Sequence, residues 1–126
     1  MIKILDEKYK QEMIDIANQN FTDELSSTLL LIDSINNKDY LFVGAFDNKI
    51  LASYLIALVS LDDVCITSIA TKDCYKKRGY AKQLIEYLKN TFKEKSISLE
   101  VKNTNIPAIS LYEKLYLIVF IFLTNL

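Results

Sequence analysis

Apolar and polar positions alternate along this chain with a changing period, and each change of period marks an element. Residues 2–5 form a short apolar run suited to a strand. Residues 6–18 hold helix formers in which Tyr9, Met13, Ile14 and Ala17 recur at helical spacing. Asp23 is placed to cap a second helix reaching about residue 34, with Leu25 and Leu29 among its apolar positions. Two β-prone runs, 40–46 and 50–59, flank the polar triplet Asp47-Asn48-Lys49 and predict a hairpin. A further strand is expected at 64–71. The strongest helical signal follows at 79–92, where Ala81, Leu84, Ile85, Leu88 and Phe92 share one face and Lys82, Glu86, Lys89 and Lys93 lie elsewhere. Residues 96–102 alternate, with Ile97, Leu99 and Val101 on one side and Ser98, Glu100 and Lys102 on the other. A short helix should then open on Asn105 as cap, with Pro107 in the first turn and Ala108, Leu111, Tyr112 and Leu115 as its apolar stripe. A last apolar strand is expected at about 117–123. The order β-α-α-β-β-β-α-β-α-β predicts an α/β (α+β) fold, a mixed central sheet flanked by helices, with residues 1–126 as one domain.

Composition narrows the function. With 51% hydrophobic and 25% charged residues in 126, the chain can bury a core without metals or disulfides. A formal net charge of −1 gives no overall pull toward nucleic acid or an anionic membrane, so any basic site must be local. Charges at Lys3, Asp6 and Glu7 interrupt the start before a secretory signal could develop, and the longest apolar run, 115–123, is far short of the roughly 20 residues of a membrane span. Cys65 and Cys74 make neither a disulfide framework nor a metal cluster, and a cytoplasmic location with reduced thiols is expected. The absence of histidine excludes Ser-His triads, histidine acid–base catalysis and histidine metal sites.

The chain has only two glycines, and Gly79 sits in Lys76-Lys77-Arg78-Gly79-Tyr80-Ala81, directly before the strongest helix. Three cations there oppose the helix dipole, each at about 0.3–1 kcal/mol, where a sequence shaped by folding alone would carry Asp or Glu. An anion resolves the conflict, because free backbone N–H groups, the dipole and the cations would all face it, and glycine permits close approach. A solvated basic turn with glycine as a plain breaker is the alternative. The second glycine and Lys-Ser/Thr pair of a Walker loop are absent.

Ile69-Ala70-Thr71 followed by Lys76-Lys77-Arg78-Gly79-Tyr80-Ala81 resembles the acetyl-CoA motif of the GNAT superfamily, Q/R-x-x-G-x-G/A after a strand. Downstream, Leu99-Glu100-Val101, Asn105-Ile106-Pro107-Ala108 and Leu111-Tyr112-Glu113-Lys114-Leu115 are similar to the second signature of its ribosomal-protein-alanine N-acetyltransferase branch (RimI-like). The resemblance covers about residues 64–115. It implies a GNAT fold and transfer of acetyl from acetyl-CoA, without a metal, to a primary amine such as a protein N-terminus, with a ribosomal protein as a candidate acceptor. It also implies backbone contacts from Ile69, Ala70 and Thr71 to the pantetheine arm, a pyrophosphate cradle of Lys76, Lys77, Arg78, Gly79, Tyr80, Ala81 and Lys82, a cofactor contact from Asn105, Glu100 as general base and Tyr112 as general acid. A protein α-amine, with a pKa of about 7.7–8.0 against about 10.4 for lysine, is already partly neutral at pH 7, so only modest basicity is asked of Glu100. Glu100 also reads as a polar residue on a strand's alternate face, and Tyr112 as core.

The chain departs from the family in places. Lys76 and Ala81 replace the commoner Gln/Arg and second Gly, and Tyr116 stands where the branch has glycine. The Pro-Trp of the first loop is absent at Phe21-Thr22-Asp23-Glu24, and the family's last strand is expected to be missing beyond the apolar tail. That tail would leave an edge open to pairing with another chain, such as a second copy. A GNAT acting on a small amine, or a CoA-binding protein without turnover, are the competing functions.

Overall fold

The computed structural model describes residues 1–102, 106–115 and 117–122, and the backbone alone at 100–102, 106–108 and 119–122. The elements are β1 (Ile2–Ile4), α1 (Lys10–Asn20), α2 (Leu25–Asp33), β2 (Tyr40–Asp47), β3 (Ile50–Val59), β4 (Asp63–Thr71), α3 (Tyr80–Thr91), β5 (Ser96–Lys102), α4 (Ile106–Lys114) and β6 (Ile118–Phe122), with 3-10 turns at Glu7–Tyr9 and Asp73–Tyr75. The strands stand in chain order in one six-stranded sheet. β1 to β4 pair antiparallel, whereas β4–β5 and β5–β6 pair parallel through the crossovers that carry α3 and α4. This is the expected mixed sheet in the expected order.

Four local expectations need correction. The carboxylate of Asp6 accepts the Lys8 N–H at 3.1 Å and tightens the chain into a 3-10 turn, so α1 begins at Lys10 and continues to Asn20. α2 starts after Glu24 and not Asp23, with Glu24 at the N-cap position. Asp47 pairs directly with Ile50, which shortens the hairpin turn to Asn48-Lys49; Asn48 takes φ 54°, a left-handed conformation that asparagine tolerates. In α4, Leu111 is 38% exposed while Ile109 is buried, so the helix turns Ile109 and Tyr112 inward. The final strand lies within its expected range, and Leu123 is outside the described residues.

Two cores lie on opposite faces of the sheet. One joins Val43, Ala45, Leu55, Ala57, Val64 and Ile66 to Leu84, Ile85 and Leu88 of α3, and to Ile97, Leu99, Ile109 and Leu117. The other packs Phe42, Phe46, Leu51, Tyr54, Ile56 and Ala70 against Met13, Ile16 and Ala17 of α1 and Ile32 of α2. The three fully buried α3 residues alone contribute about 1.5–3 kcal/mol each. A register shift at Ile56/Ala57 inserts Thr67 into β4 as an extra residue, and its hydroxyl donates to the Ile56 carbonyl at 3.0 Å. Because side chains alternate with period two, the insertion switches faces: Val64 and Ile66 belong to the α3 core, Ala70 to the α1 core.

Candidate active site

The site begins where β4 and β5 part. Their pairing runs from Asp63↔Ser96 to Ile66↔Leu99 and ends there, although β4 continues to Thr71 and β5 to Lys102. At the paired end, the Asp63 carboxylate accepts the hydroxyls of Ser96 at 2.8 Å and Ser98 at 3.2 Å, which ties the two strands together. Beyond Ile66 only β3 lies alongside β4, through Ser53↔Thr71. The Lys72 N–H donates to the Ala52 carbonyl at 2.8 Å, so alternation turns the backbone groups of Ser68 and Ala70 toward β3 and those of Ile69 and Thr71 toward the open edge. Ile69 and Thr71 therefore present their backbone groups to the parting. Ala70 does not: its carbonyl accepts the Ser53 hydroxyl at 2.8 Å, and its side chain is buried in the α1 core.

The open edge leads into the basic turn. Lys77 has φ 63° and Gly79 φ 87°, two left-handed residues astride Arg78. Left-handed backbone costs a β-carbon-bearing residue about 1–2 kcal/mol, so Lys77 stores strain that Gly79 avoids. The first hydrogen bond of α3 runs from the Gln83 N–H to the Gly79 carbonyl at 3.0 Å, leaving the N–H groups of Tyr80, Ala81 and Lys82 without an intrahelical partner. Nothing lies within 4 Å of where a β-carbon on Gly79 would point, so the turn faces open space. Lys76 pairs with Asp73 at 2.9 Å and Lys82 with Glu86 at 3.9 Å. Arg78 lies over the Tyr75 ring, and among the described residues neither Arg78 nor Lys77 has an ion pair. Cations without an ion pair among the described residues, a helix N-terminus and strained backbone come together here, an arrangement suited to a multiply charged anion. The residues fit a pyrophosphate.

Across the parting, Glu100 is the first β5 residue past the last β4 pair, and its backbone pairs with Phe120 of β6. Tyr112 packs half-buried against the α3-side core, and burial raises its hydroxyl pKa above the ordinary value. Asn105 lies outside the described residues. Among the described residues, no group of acidic, cysteine or histidine side chains is placed to hold a metal, and no helix is long and apolar enough to cross a membrane.

Several contacts that shape the site carry no sequence signature. The Asn20 side-chain amide donates to Ile16 O at 2.8 Å and to Thr71 O at 2.9 Å, while Gln19 Oε1 accepts the Asp73 N–H at 2.9 Å. Tyr75 is buried, donates to Asp47 Oδ2 at 3.0 Å and meets Tyr80 edge-on at 5.6 Å. Tyr54, fully buried, shares a 3.0 Å hydrogen bond with Ser68 just past the Thr67 insertion, and burial pushes its pKa up to about 12.

Residues 6–116 match the acetyltransferase (GNAT) family. The chain is similar to the [ribosomal protein bS18]-alanine N-acetyltransferase of Escherichia coli, 32% identical over 79 residues that make up 60% of this chain and 53% of that protein. It is also 43% identical over 54 residues to an N-alpha-acetyltransferase of Saccharolobus solfataricus, covering 40% of this chain and 32% of that protein. The chain thus spans about half the length, or less, of the curated relatives it matches. The crystal structure of the E. coli ribosomal-protein-S18-alanine N-acetyltransferase superposes with a TM-score of 0.79 at 25% identity, over 91% of this chain and 75% of that one. The PaiA N-acetyltransferase of Thermoplasma acidophilum, solved with coenzyme A, shares the fold with a TM-score of 0.73 at 20% identity, over 90% of this chain and 86% of that one. With the family matched across nearly its whole length and the parted strands leading to a glycine-started helix, this chain belongs to the GNAT acetyltransferase family.

Proposed function

We propose that this chain binds acetyl-CoA and transfers the acetyl group to a primary amine, the α-amine of a protein N-terminus. The observation that carries the reading is the continuous path from the open edge of β4 at Ile69 and Thr71 to the left-handed Gly79 turn flanked by Lys77 and Arg78. An amide-bearing pantetheine arm suits the first part and a pyrophosphate the second. The likeness to the E. coli enzyme supports an α-amine, on a ribosomal protein, as acceptor.

In the proposed reaction, the neutral amine attacks the thioester carbonyl, the new C–N bond forms and the C–S bond breaks. Glu100 takes the proton released by the amine, directly or through water. The phenol of Tyr112 is protonated at neutral pH by its ordinary acidity, and burial raises its pKa further. A phenol, at about 10, is already a weaker acid than a thiol, at about 8.5, and burial shifts Tyr112 further the same way, so Tyr112 chiefly donates a hydrogen bond to the departing thiolate while solvent completes the protonation.

The test is incubation of the chain with acetyl-CoA and, separately, an alanine-starting peptide, a polyamine and an aminoglycoside, read by mass spectrometry. Acetylation at the peptide α-amine is the expected result. Acetylated small amines beside an unmodified peptide would reassign the acceptor. Binding of coenzyme A in calorimetry without any acetylated product would make the chain a CoA-binding protein.

A further inference from the structure

We infer that Gln19 and Asn20, the last two residues of α1, are positioning residues that set the height and tilt of the cofactor cradle. This inference rests on the acetyl-CoA reading above. The two side chains hold the backbone on either side of Lys72: Asn20 takes the Thr71 carbonyl and Gln19 the Asp73 N–H, each at 2.9 Å. Thr71 ends the open edge of β4, and Asp73 begins the 3-10 turn that leads into the basic loop. Without Asn20, the Thr71 carbonyl would face the parting as an unpaired acceptor. Asn20 satisfies that carbonyl from the side and leaves the Thr71 N–H and both groups of Ile69 for the ligand. The second hydrogen of the same amide goes to Ile16 O at 2.8 Å, in the last turn of α1, so the clamp is referenced to a helix whose Met13, Ile16 and Ala17 are buried. Gln19 is exposed, and its side-chain oxygen accepts the Asp73 N–H, so burial alone does not account for its orientation.

The test uses the whole chain and calorimetric titration with coenzyme A. Asn20→Ala, which removes two hydrogen bonds, should raise the dissociation constant about tenfold, and Gln19→Ala, which removes one, about three- to tenfold. Asn20→Asp, which keeps the volume but has no N–H to donate, should bind as weakly as Asn20→Ala, a result that a packing role would not produce. Ile32→Val, which loosens the same core away from the loop, controls for stability: it should lower the melting temperature and leave the coenzyme A affinity unchanged. Should Asn20→Ala fail to fold, the exposed Gln19→Ala variant decides. A wild-type chain that binds coenzyme A as tightly as its folded variants do overturns the positioning role alone. A wild-type chain silent to coenzyme A overturns the cofactor reading and this inference with it.

Discussion

Tyr75 donates its phenolic hydroxyl to Asp47 Oδ2 at 3.0 Å, fastening the 3-10 turn before the basic loop to the end of β2. The Asp47 hydrogen bond, then burial and nearby negative charge, raise the Tyr75 pKa above its ordinary value. The stability that this tie contributes is complete below about pH 10 and is lost as pH climbs through the raised folded-state value. Tyr54, with its pKa at about 12, adds a second alkaline loss that starts above pH 10 and ends higher. Denaturant midpoints measured from neutral to strongly alkaline pH should fall more shallowly for Tyr75→Phe than for wild type. Identical slopes would show that Tyr75 does not contribute.

Replacing Tyr112 by Phe should lower turnover by about 100-fold or more while leaving the coenzyme A dissociation constant within about twofold, because the hydroxyl acts on a leaving group that exists only during reaction. Steady-state rates and calorimetry read the two quantities separately. Wild-type turnover in the variant would remove Tyr112 from the chemistry.

Gly79→Ala meets no steric obstacle, since nothing lies within 4 Å, so its whole cost is the positive φ of 87°. About 1–2 kcal/mol of stability should be lost. Gly79→Asp adds a negative charge to the same strain and should further abolish measurable coenzyme A binding. Undiminished affinity in Gly79→Asp would argue against an anion at this turn.

Lys77→Ala and Arg78→Ala should each weaken coenzyme A binding and flatten its dependence on salt, since both cations are exposed and screened by ions. Titrations at low and high salt check this; unchanged salt dependence would place the phosphates elsewhere.

Gly44→Ala tests the other glycine. A β-carbon there would stand 2.5 Å from Leu51 Cδ1 and 2.8 Å from Leu5 Cδ2, where β1 crosses the hairpin core. Overpacking should cost about 1–3 kcal/mol, measured as a lowered denaturant midpoint with coenzyme A affinity intact.

Sequence pattern and structure agree where a single face decides the outcome. The apolar stripe of α3 at Leu84, Ile85 and Leu88 is buried in full, and β5 occupies residues 96–102 as its alternation requires. The left-handed turn at Gly79 falls where cations at a helix start conflict with the dipole, a conflict visible in the sequence. Pattern alone does not fix the start of α2, because Asp23 and Glu24 are both plausible first-turn residues, nor the inward face of α4, because Ile109 and Leu111 fit a short helix equally well. The holds on the cofactor loop were invisible. Gln19 and Asn20 reach residues more than 50 positions away, a separation that no local pattern encodes. Ala70 was misassigned for a related reason, since the turn of its backbone toward β3 depends on pairing along β4.

The staple made by Asp63, Ser96 and Ser98 holds β4 and β5 together at one end, and past Ile66↔Leu99 the same two strands run on without pairing. The gap beyond Ile66↔Leu99 leaves the outward backbone groups of Ile69 and Thr71 with no strand beside them among the described residues, and under the proposed function an amide-bearing arm would take that strand's place. Selection of the coenzyme's arm would thus be a property of sheet geometry, set at a point remote from any reacting atom.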